Sequence, residues 1–266
     1  ISVVGAAGQV LFLAKYVGLG RLLWGRQAGS GSLYQSGSYS SDVAFGLAVD
    51  SAGNAYIIGS FTANANFGGI ALSKASGAAL FLAKYSPTGD VLWAIQSGGS
   101  GNAQGNGVCV GPSGNVFVAG ICMGTNTLST NNLSLTQPGS SDLVFVACFD
   151  TNGRAVWAKK GAGGSKSQGR AITAARDGTI YVTGDFSGTV NFDGLEVLEN
   201  AANETGDVFL AAYETGGNVL WVATAGGPYA DSGAGVACDA GGNVYLTGNF
   251  KSQARFGEVT LSAATS

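Results

Sequence analysis

Apolar residues recur along this chain in short runs that either alternate with polar residues or are continuous, and turn residues separate the runs. Between residues 107 and 160 the runs read GVCVG, NVFVAGI, LVFVACF and AVWAKK. Short apolar runs bounded by Gly, Pro, Asn and Asp are typical of β-strands. No stretch keeps the 3.6-residue period of an amphipathic helix, so the pattern predicts an all-β chain.

The turns between the runs indicate how the strands pair. The first two runs of each group are joined by SAGN, PSGN, RDGT or AGGN, and the last two by VGLGR, SPTGD, DTNGR or ETGGN. Glycine-containing connections of this length are typical of hairpins. Runs one and two, and runs three and four, are therefore predicted to be antiparallel pairs.

Aromatic residues repeat through the chain at a nearly constant spacing. One series consists of tryptophans 69, 64 and 64 residues apart: Trp24, Trp93, Trp157 and Trp221. A second series has a glycine three residues after each aromatic: Tyr56, Phe117, Tyr181 and Tyr245. Four strands in each repeat of about 64 residues are typical of the blades of a β-propeller.

The segments GLAVDSAGNAYIIGSF and LFLAKYSPTGDVLWAIQ, with an FG-containing stretch between them, resemble the SBBP family of bacterial β-propeller repeats. The resemblance covers nearly the whole chain, although RDGT, Cys122 and Leu128 depart from its pattern. It implies a propeller from a secreted or cell-surface protein. It implies no catalytic residue, because the family is recognised by its scaffold.

The repeat predicts one propeller domain over residues 1–266, with units at about 28–97, 98–161, 162–225, and 226–266 joined with 1–27. The fold expected is a propeller of four four-stranded blades, one of them completed by strands from both termini. Those two half-units belong either to one chain that closes its own ring or to neighbouring chains. A third alternative is that the sequence, which begins at Ile1, is a segment of a longer propeller.

Composition narrows the classes of function. The chain has 45 Gly, 11% charged residues, a net charge of −3 and no His. Its 13 Lys and Arg are spread out, which argues against nucleic acid as a partner. The apolar run from Leu143 to Phe149 is far shorter than the roughly 18 residues of a membrane helix. The four cysteines lack CxxC spacing and are expected to be free, mostly buried thiols.

The connections between the strands are the expected place for binding residues. The connection after Trp24 is longer than its equivalents and contains Tyr34 and Tyr39. Polar residues occupy corresponding places in the other inter-unit segments: Asn102, Gln104, Lys166, Gln168, Tyr229 and Asp231. This set either binds a glycan or peptide or forms a solvated rim. Asn132 and Asn203 stand in N-x-[ST] sequons and are candidates for glycosylation.

The sequence thus predicts a non-catalytic extracellular or cell-surface module with a structural or protein-interaction role, such as a self-assembling surface or filament subunit. Its expected partners are copies of itself or another surface protein, with no cofactor and no metal. One alternative is a module that binds glycan or peptide. The other is a carboxylate-based hydrolase or lyase, which needs two carboxylates about 5 to 9.5 Å apart. Asp50 and Asp239 share one repeat position but are interpreted as turn caps.

Overall fold

The computed structural model describes residues 10–29, 42–128, 133–136, 141–162, 166–198 and 206–263. Every regular element in these residues is a strand. The predicted all-β class is confirmed. Tyr34, Tyr39, Asn132 and Asn203 lie outside the described residues.

The four predicted strands of each unit appear in the predicted order, and short additional hairpins lie between some of them. Their bounds are β1 Leu11–Tyr16, β2 Leu22–Gly29, β3 Val43–Val49, β4 Ala55–Phe67, β5 Ile70–Tyr85, β6 Val91–Gly98, β7 Asn102–Val110, β8 Val116–Met123, β9 Thr125–Leu128, β10 Leu133–Thr136, β11 Leu143–Phe149, β12 Ala155–Ala162, β13 Lys166–Ala174, β14 Ile180–Ser187, β15 Thr189–Phe192, β16 Leu195–Leu198, β17 Asp207–Tyr213, β18 Val219–Gly226, β19 Ser232–Cys238, β20 Val244–Asn249, β21 Gln253–Phe256 and β22 Val259–Ser262.

Each of three complete units contains four strands that are neighbours in one antiparallel sheet. These are β3 to β6, then β7, β8, β11 and β12, and then β13, β14, β17 and β18. The predicted hairpins are confirmed: β7 pairs with β8 and β11 pairs with β12. Their tight turns place glycine at positive φ, as at Gly114 (84°) and Gly153 (80°), where a side chain would be strained. The count of four blades stays a prediction.

The connections between the second and third strands of the units contain hairpins, which the four-strand repeat does not predict. In the first unit the hairpin is formed by the outer parts of β4 and β5, which pair from Asn64–Ser73 to Phe67–Ile70. The later hairpins are β9–β10, β15–β16 and β21–β22. The sequence does not predict these hairpins because each of their strands is only four residues long and its apolar pattern is correspondingly weak.

Each of these hairpins adds strands to the last strand of the preceding unit. Phe67 pairs with Ala28 of β2, and Phe192 pairs with Gly161 of β12. Both phenylalanines are buried, at 0% and 2% exposure. The hairpins therefore connect neighbouring units through main-chain hydrogen bonds as well as through apolar packing.

The repeated tryptophans also connect neighbouring units. The indole Nε1 of Trp24, Trp93 and Trp157 donates to a turn carbonyl in the following unit at 3.0, 3.0 and 2.8 Å. The acceptors are Pro87, Thr151 and Thr215. Each ring also covers the glycine of that turn, where a Cβ would lie only about 3 Å from the indole. The spacing of the tryptophans is thus the spacing of the contacts between units.

The first strands of the units pack side by side in the order β3, β7, β13 and β19. The strands β1–β2 and β19–β20 belong to different sheets. Within the described residues the sheets do not close into a ring.

No helix in that part of the chain is long and apolar enough to cross a membrane.

Candidate docking edges

Two half-units expose the side chains that the complete units bury. We call β1–β2 the head hairpin and β19–β20 the tail sheet. Phe12 of the head hairpin is 79% exposed and Tyr16 is 59% exposed, whereas the equivalent residues Phe81 and Tyr85 are 0% and 2% exposed. Both β1 and β5 read FLAKY at these positions, so the difference in exposure comes from the neighbouring strands and not from the residues themselves.

The tail sheet is exposed in the same way. Tyr245 is 59% exposed, whereas its repeat equivalents Tyr56, Phe117 and Tyr181 are at most 9% exposed. In the complete units a third strand pairs with this second strand, but β20 lies at the edge of a two-stranded sheet. β1 likewise lies at the edge of its sheet. Among the residues that the structure describes, each half-unit therefore has an unpaired main-chain edge beside uncovered apolar residues.

A cavity of about 320 Å³ opens beside the edge of β20. Its apolar lining comes from β20, from the β21–β22 hairpin and from the preceding unit: Val208, Leu246, Phe250, Phe256 and Leu261. We call this space the tail cavity. In two of the complete units a phenylalanine of the third strand fills the corresponding space. The ring centres of Phe81 and Phe67 are 4.9 Å apart, and those of Phe209 and Phe192 are 5.0 Å apart.

The first complete unit also contains a partly buried cluster of Asp50, Tyr56 and Lys84. The Tyr56 hydroxyl donates to Asp50 Oδ2 at 3.0 Å, and Lys84 Nζ lies 3.9 Å from the same oxygen and 5.0 Å from the centre of the Tyr56 ring. Burial acts to raise the pKa of Asp50, but hydrogen bonds from Asn54 and Tyr56 and the charge of Lys84 outweigh it and hold the pKa below its usual value. Burial and the adjacent carboxylate raise the pKa of Tyr56.

The tail sheet contains two members of the same cluster. The Tyr245 hydroxyl donates to Asp239 Oδ2 at 3.1 Å, and Asn243 Nδ2 donates to that oxygen at 2.8 Å. Asp239 Oδ1 also accepts the amide of Gly241, so the turn-cap interpretation of both aspartates is supported by the geometry. A lysine equivalent to Lys84 would come from a third strand, and within the part of residues 10–263 that the structure describes, no third strand pairs with β20.

The predicted ligand-binding residues take part in structural contacts or stand apart from one another. Asn102 Oδ1 accepts the Ala78 amide at 2.8 Å, and Gln168 Nε2 donates to Asp185 at 3.0 Å. Gln104 Nε2 donates to Asn106 at 2.7 Å, and Lys166 is exposed.

Tyr229 and Asp231 lie together near the start of β19. Lys251 Nζ lies 5.1 Å from the centre of the Tyr229 ring, and the Lys251 amide donates to Asp231 Oδ1 at 3.0 Å. Tyr229 is 44% exposed, whereas Asp231 is 3% exposed. A binding role for any of these candidates stays a prediction.

Two cavities in the described part of the chain each contain one carboxylate. One of about 360 Å³ at the ends of β3, β7 and β13 contains Asp50, and one of about 420 Å³ contains Asp193. The described part of the chain holds no group of three His, Cys, Asp or Glu side chains that could bind a metal. The tail cavity is lined by apolar and small polar residues.

The four cysteines are free thiols, with Cys122 and Cys148 buried and Cys109 and Cys238 partly buried. Burial raises the pKa of Cys122 to about 11 and that of Cys148 to about 12. The thiolate is the reactive form, so both groups are unreactive at neutral pH.

The sheets, the repeated inter-unit contacts and the two open half-units define an all-β repeat protein. Residues 23–68 match the family model described as SBBP, beta-propeller repeat. The resemblance to the SBBP family is thereby confirmed for this segment, which extends from β2 through the outer part of β4.

Two further proteins are similar to this chain. An uncharacterized WD repeat-containing protein, L264, from Acanthamoeba polyphaga mimivirus is 26% identical over 265 aligned residues, which include 83% of this chain. The alignment spans only 18% of that relative's length. A crystal structure of a protein of unknown function from Bacteroides caccae aligns with 96% of this chain and 74% of its own, at 12% identity and a TM-score of 0.45.

Proposed function

We propose that this chain is a non-enzymatic interaction module of an extracellular or cell-surface protein, and that it associates with protein partners through its two open sheet edges. The finer architecture that we propose is four propeller blades, with the fourth completed by a head hairpin and a tail sheet. The observation that carries the proposal is the exposure of Phe12, Tyr16 and Tyr245 at positions that the complete units bury.

Open edges of this kind favour association. Their unpaired amide and carbonyl groups can bind another strand, and adjacent pockets supply specificity. Burying a large apolar side chain contributes roughly 1.5–3 kcal/mol. The head hairpin offers Phe12 and Tyr16 beside its edge, and the tail sheet offers the tail cavity. An extracellular location is supported by the SBBP match, because the family resemblance implies secreted or surface proteins.

The test is the solution mass of the full chain, measured by light scattering over a hundredfold range of concentration. We expect the mass to rise with concentration and the Phe12→Asp variant to stay at the mass of one chain. Val156→Asp is the matched control, because Val156 is 53% exposed on the outer strand of a complete unit. A wild-type mass that stays at one chain, or equal effects of the two variants, would contradict association through the edges.

A further inference from the structure

We infer that the head hairpin of one copy completes the tail sheet of a second copy, with Phe12 seated in the tail cavity and Lys15 beside Asp239 and Tyr245. The inference rests on the proposed function and names its partner. It makes the assembly head-to-tail. β1 of one copy becomes the third strand, and β2 the fourth strand, of the unit that β19 and β20 of the other copy begin.

The repeat fixes the register of this pairing. In the complete units the second strand pairs with the third so that Tyr56 opposes Lys84, Phe117 opposes Cys148 and Tyr181 opposes Ala212. The same offset places Tyr245 opposite Lys15. It also places Leu246 opposite Ala14, and Gly248 opposite Phe12.

The exposed Phe12 and the tail cavity correspond in shape and position. A Cβ at Gly59, Gly120 or Gly184 would lie closest to a carbonyl oxygen of the first strand, at 1.8 to 2.0 Å, and also 2.8 to 3.0 Å from Cε1 of the phenylalanine on the third strand. The ring of that phenylalanine therefore packs directly on the glycine. At Gly248 the three nearest atoms belong to the backbone of Ser232 and Gly233. Phe12 placed opposite Gly248 would contact Phe256 as Phe81 contacts Phe67.

The charges of the two surfaces also match. The unit that has Asp50 has Lys84 opposite its tyrosine, whereas the units with Gly111 and Ala175 have Cys148 and Ala212 at the lysine position. The tail sheet has Asp239 and Tyr245, and the head hairpin has the lysine. If these two half-units form one unit, aspartate and lysine occur together in it, as Asp50 and Lys84 do in the first complete unit.

Lys15 is already positioned as Lys84 is. Lys84 Nζ lies 3.5 Å from the carbonyl of Thr151, in the turn of the next unit, and Lys15 Nζ donates to the equivalent carbonyl of Pro87 at 3.0 Å. Docking would therefore add Asp239 and Tyr245 to a lysine whose side chain is held in place.

A second contact across the junction involves Trp221 and Gly20. Trp24, Trp93 and Trp157 each cover the positive-φ glycine of a turn in the next unit, namely Gly89, Gly153 or Gly217. Trp221 is 41% exposed. Gly20 is the equivalent glycine of the head hairpin, has φ of 80°, and has no atom within 4 Å of a Cβ built on it. Docking would place the Trp221 ring on Gly20.

A second copy can supply the partner, because the described residues of one chain leave the head hairpin and the tail sheet uncovered at the same time. The head hairpin is held in the first sheet through the pairing of β2 with β4, and the tail sheet packs on β13, β14 and β17. Pairing between unlike surfaces is heterologous, so it continues from copy to copy into a larger ring or a filament.

The test mixes two full-length variants that each lack one surface. Phe12→Asp replaces the exposed ring of the head hairpin with a charge. Leu261→Asp places a charge in the tail cavity, where Leu261 is 44% exposed. We expect each variant to stay at the mass of one chain, and the mixture to form a complex of two chains that does not grow further. Val156→Asp, which retains both surfaces, is mixed with each of the two variants as the control.

The outcomes separate this inference from the proposed function. If the wild type assembles but the two variants do not form a complex, head-to-tail pairing is overturned and edge association stands. A wild type that stays monomeric, with the amides of β1 and β20 protected from hydrogen exchange, would show that one chain completes its own unit. That result would overturn the second copy as partner.

The register has its own test. Ala14→Cys and Leu246→Cys, placed in separate chains and mixed under mild oxidation, are expected to give a disulfide-linked dimer. Ala14→Cys mixed with Thr247→Cys is shifted by one residue and is expected to cross-link at least tenfold less, because adjacent side chains of a strand point to opposite faces. Equal cross-linking by the two pairs would overturn the register.

Discussion

At the residue scale, one aspartate has two roles in the first complete unit. Asp50 Oδ1 accepts the amides of Ala52 and Asn54 and so closes the turn after β3. Asp50 Oδ2 accepts from Tyr56 and lies near Lys84, which connects the turn to the second and third strands. The carboxylate is largely shielded from solvent, with 13% of the side chain exposed. Shielding alone would disfavour the charge, but the hydrogen bonds and Lys84 lower the pKa of Asp50, so the charged carboxylate contributes to stability.

Asp50→Asn is expected to lower the free energy of unfolding at pH 7 by about 1 kcal/mol, the scale of a charged hydrogen bond after partial solvent screening. The pKa of Asp50 is lowered in the folded state. Its stabilising effect is therefore fully present above the unfolded pKa of about 3.9 and is lost as the pH falls through the lower folded value. Urea unfolding at pH 7 and at pH 2.5 should show the difference between variant and wild type shrinking in acid. Asp90→Asn, at a side chain that is 73% exposed, should show almost no difference.

At the element scale, the tryptophan of each fourth strand is the main contact with the following unit. Trp93 contacts Tyr56 of its own unit at 6.0 Å between ring centres and donates to Thr151 of the next. Trp221 contacts Tyr181 of its own unit, with 5.9 Å between ring centres, but among the described residues it has no contact with a following unit. The two tryptophans therefore form a matched pair.

Trp93→Ala is expected to lower the free energy of unfolding by about 3–5 kcal/mol, because it removes a large ring from between two units. Trp221→Ala in the monomer should cost less than half as much, since its ring is 41% exposed. Thermal or urea unfolding of dilute protein measures both values. Equal losses would mean that the contact with the next unit adds little to the stability of the fold.

At the scale of the whole molecule, burial is concentrated in the complete units. β11 is buried along its full length, whereas β20 is mostly exposed. The interior units have neighbours on both sides, but the head hairpin and the tail sheet each lack one. Local opening in a repeat array requires less free energy where neighbours are missing.

Hydrogen exchange of dilute protein should therefore give the slowest amides in β8 and β11 and at least tenfold faster exchange in β1 and β20. Raising the protein concentration should slow exchange in β1 and β20 together, because each strand covers the other in the assembly. The Phe12→Asp variant provides the comparison without assembly. Concentration-dependent protection of only one of the two strands would be inconsistent with head-to-tail pairing.

Part of the candidate site could be read from the sequence. The repeat locates the half-units, because FLAKY at residues 12–16 matches the third strand of the complete units and Tyr245 matches their second strand. The hairpins that connect the units were missed, although Phe67, Phe192 and Phe256 recur with them. Their strands take shape only when they pair with the preceding unit, and a four-residue apolar pattern contains little local information about such a distant partner.

The sequence by itself determined the repeat, the all-β class, the antiparallel hairpins and the identity of the residues at each repeat position. These follow from local alternation, turn chemistry and spacing, which act over a few residues. Only the tertiary structure decided that Phe12 and Tyr245 are uncovered, that a cavity lies beside Phe256, and that Lys15 is already held at its turn. Exposure and cavity volume depend on which strands come together across the chain, and therefore cannot be fixed by neighbours in sequence.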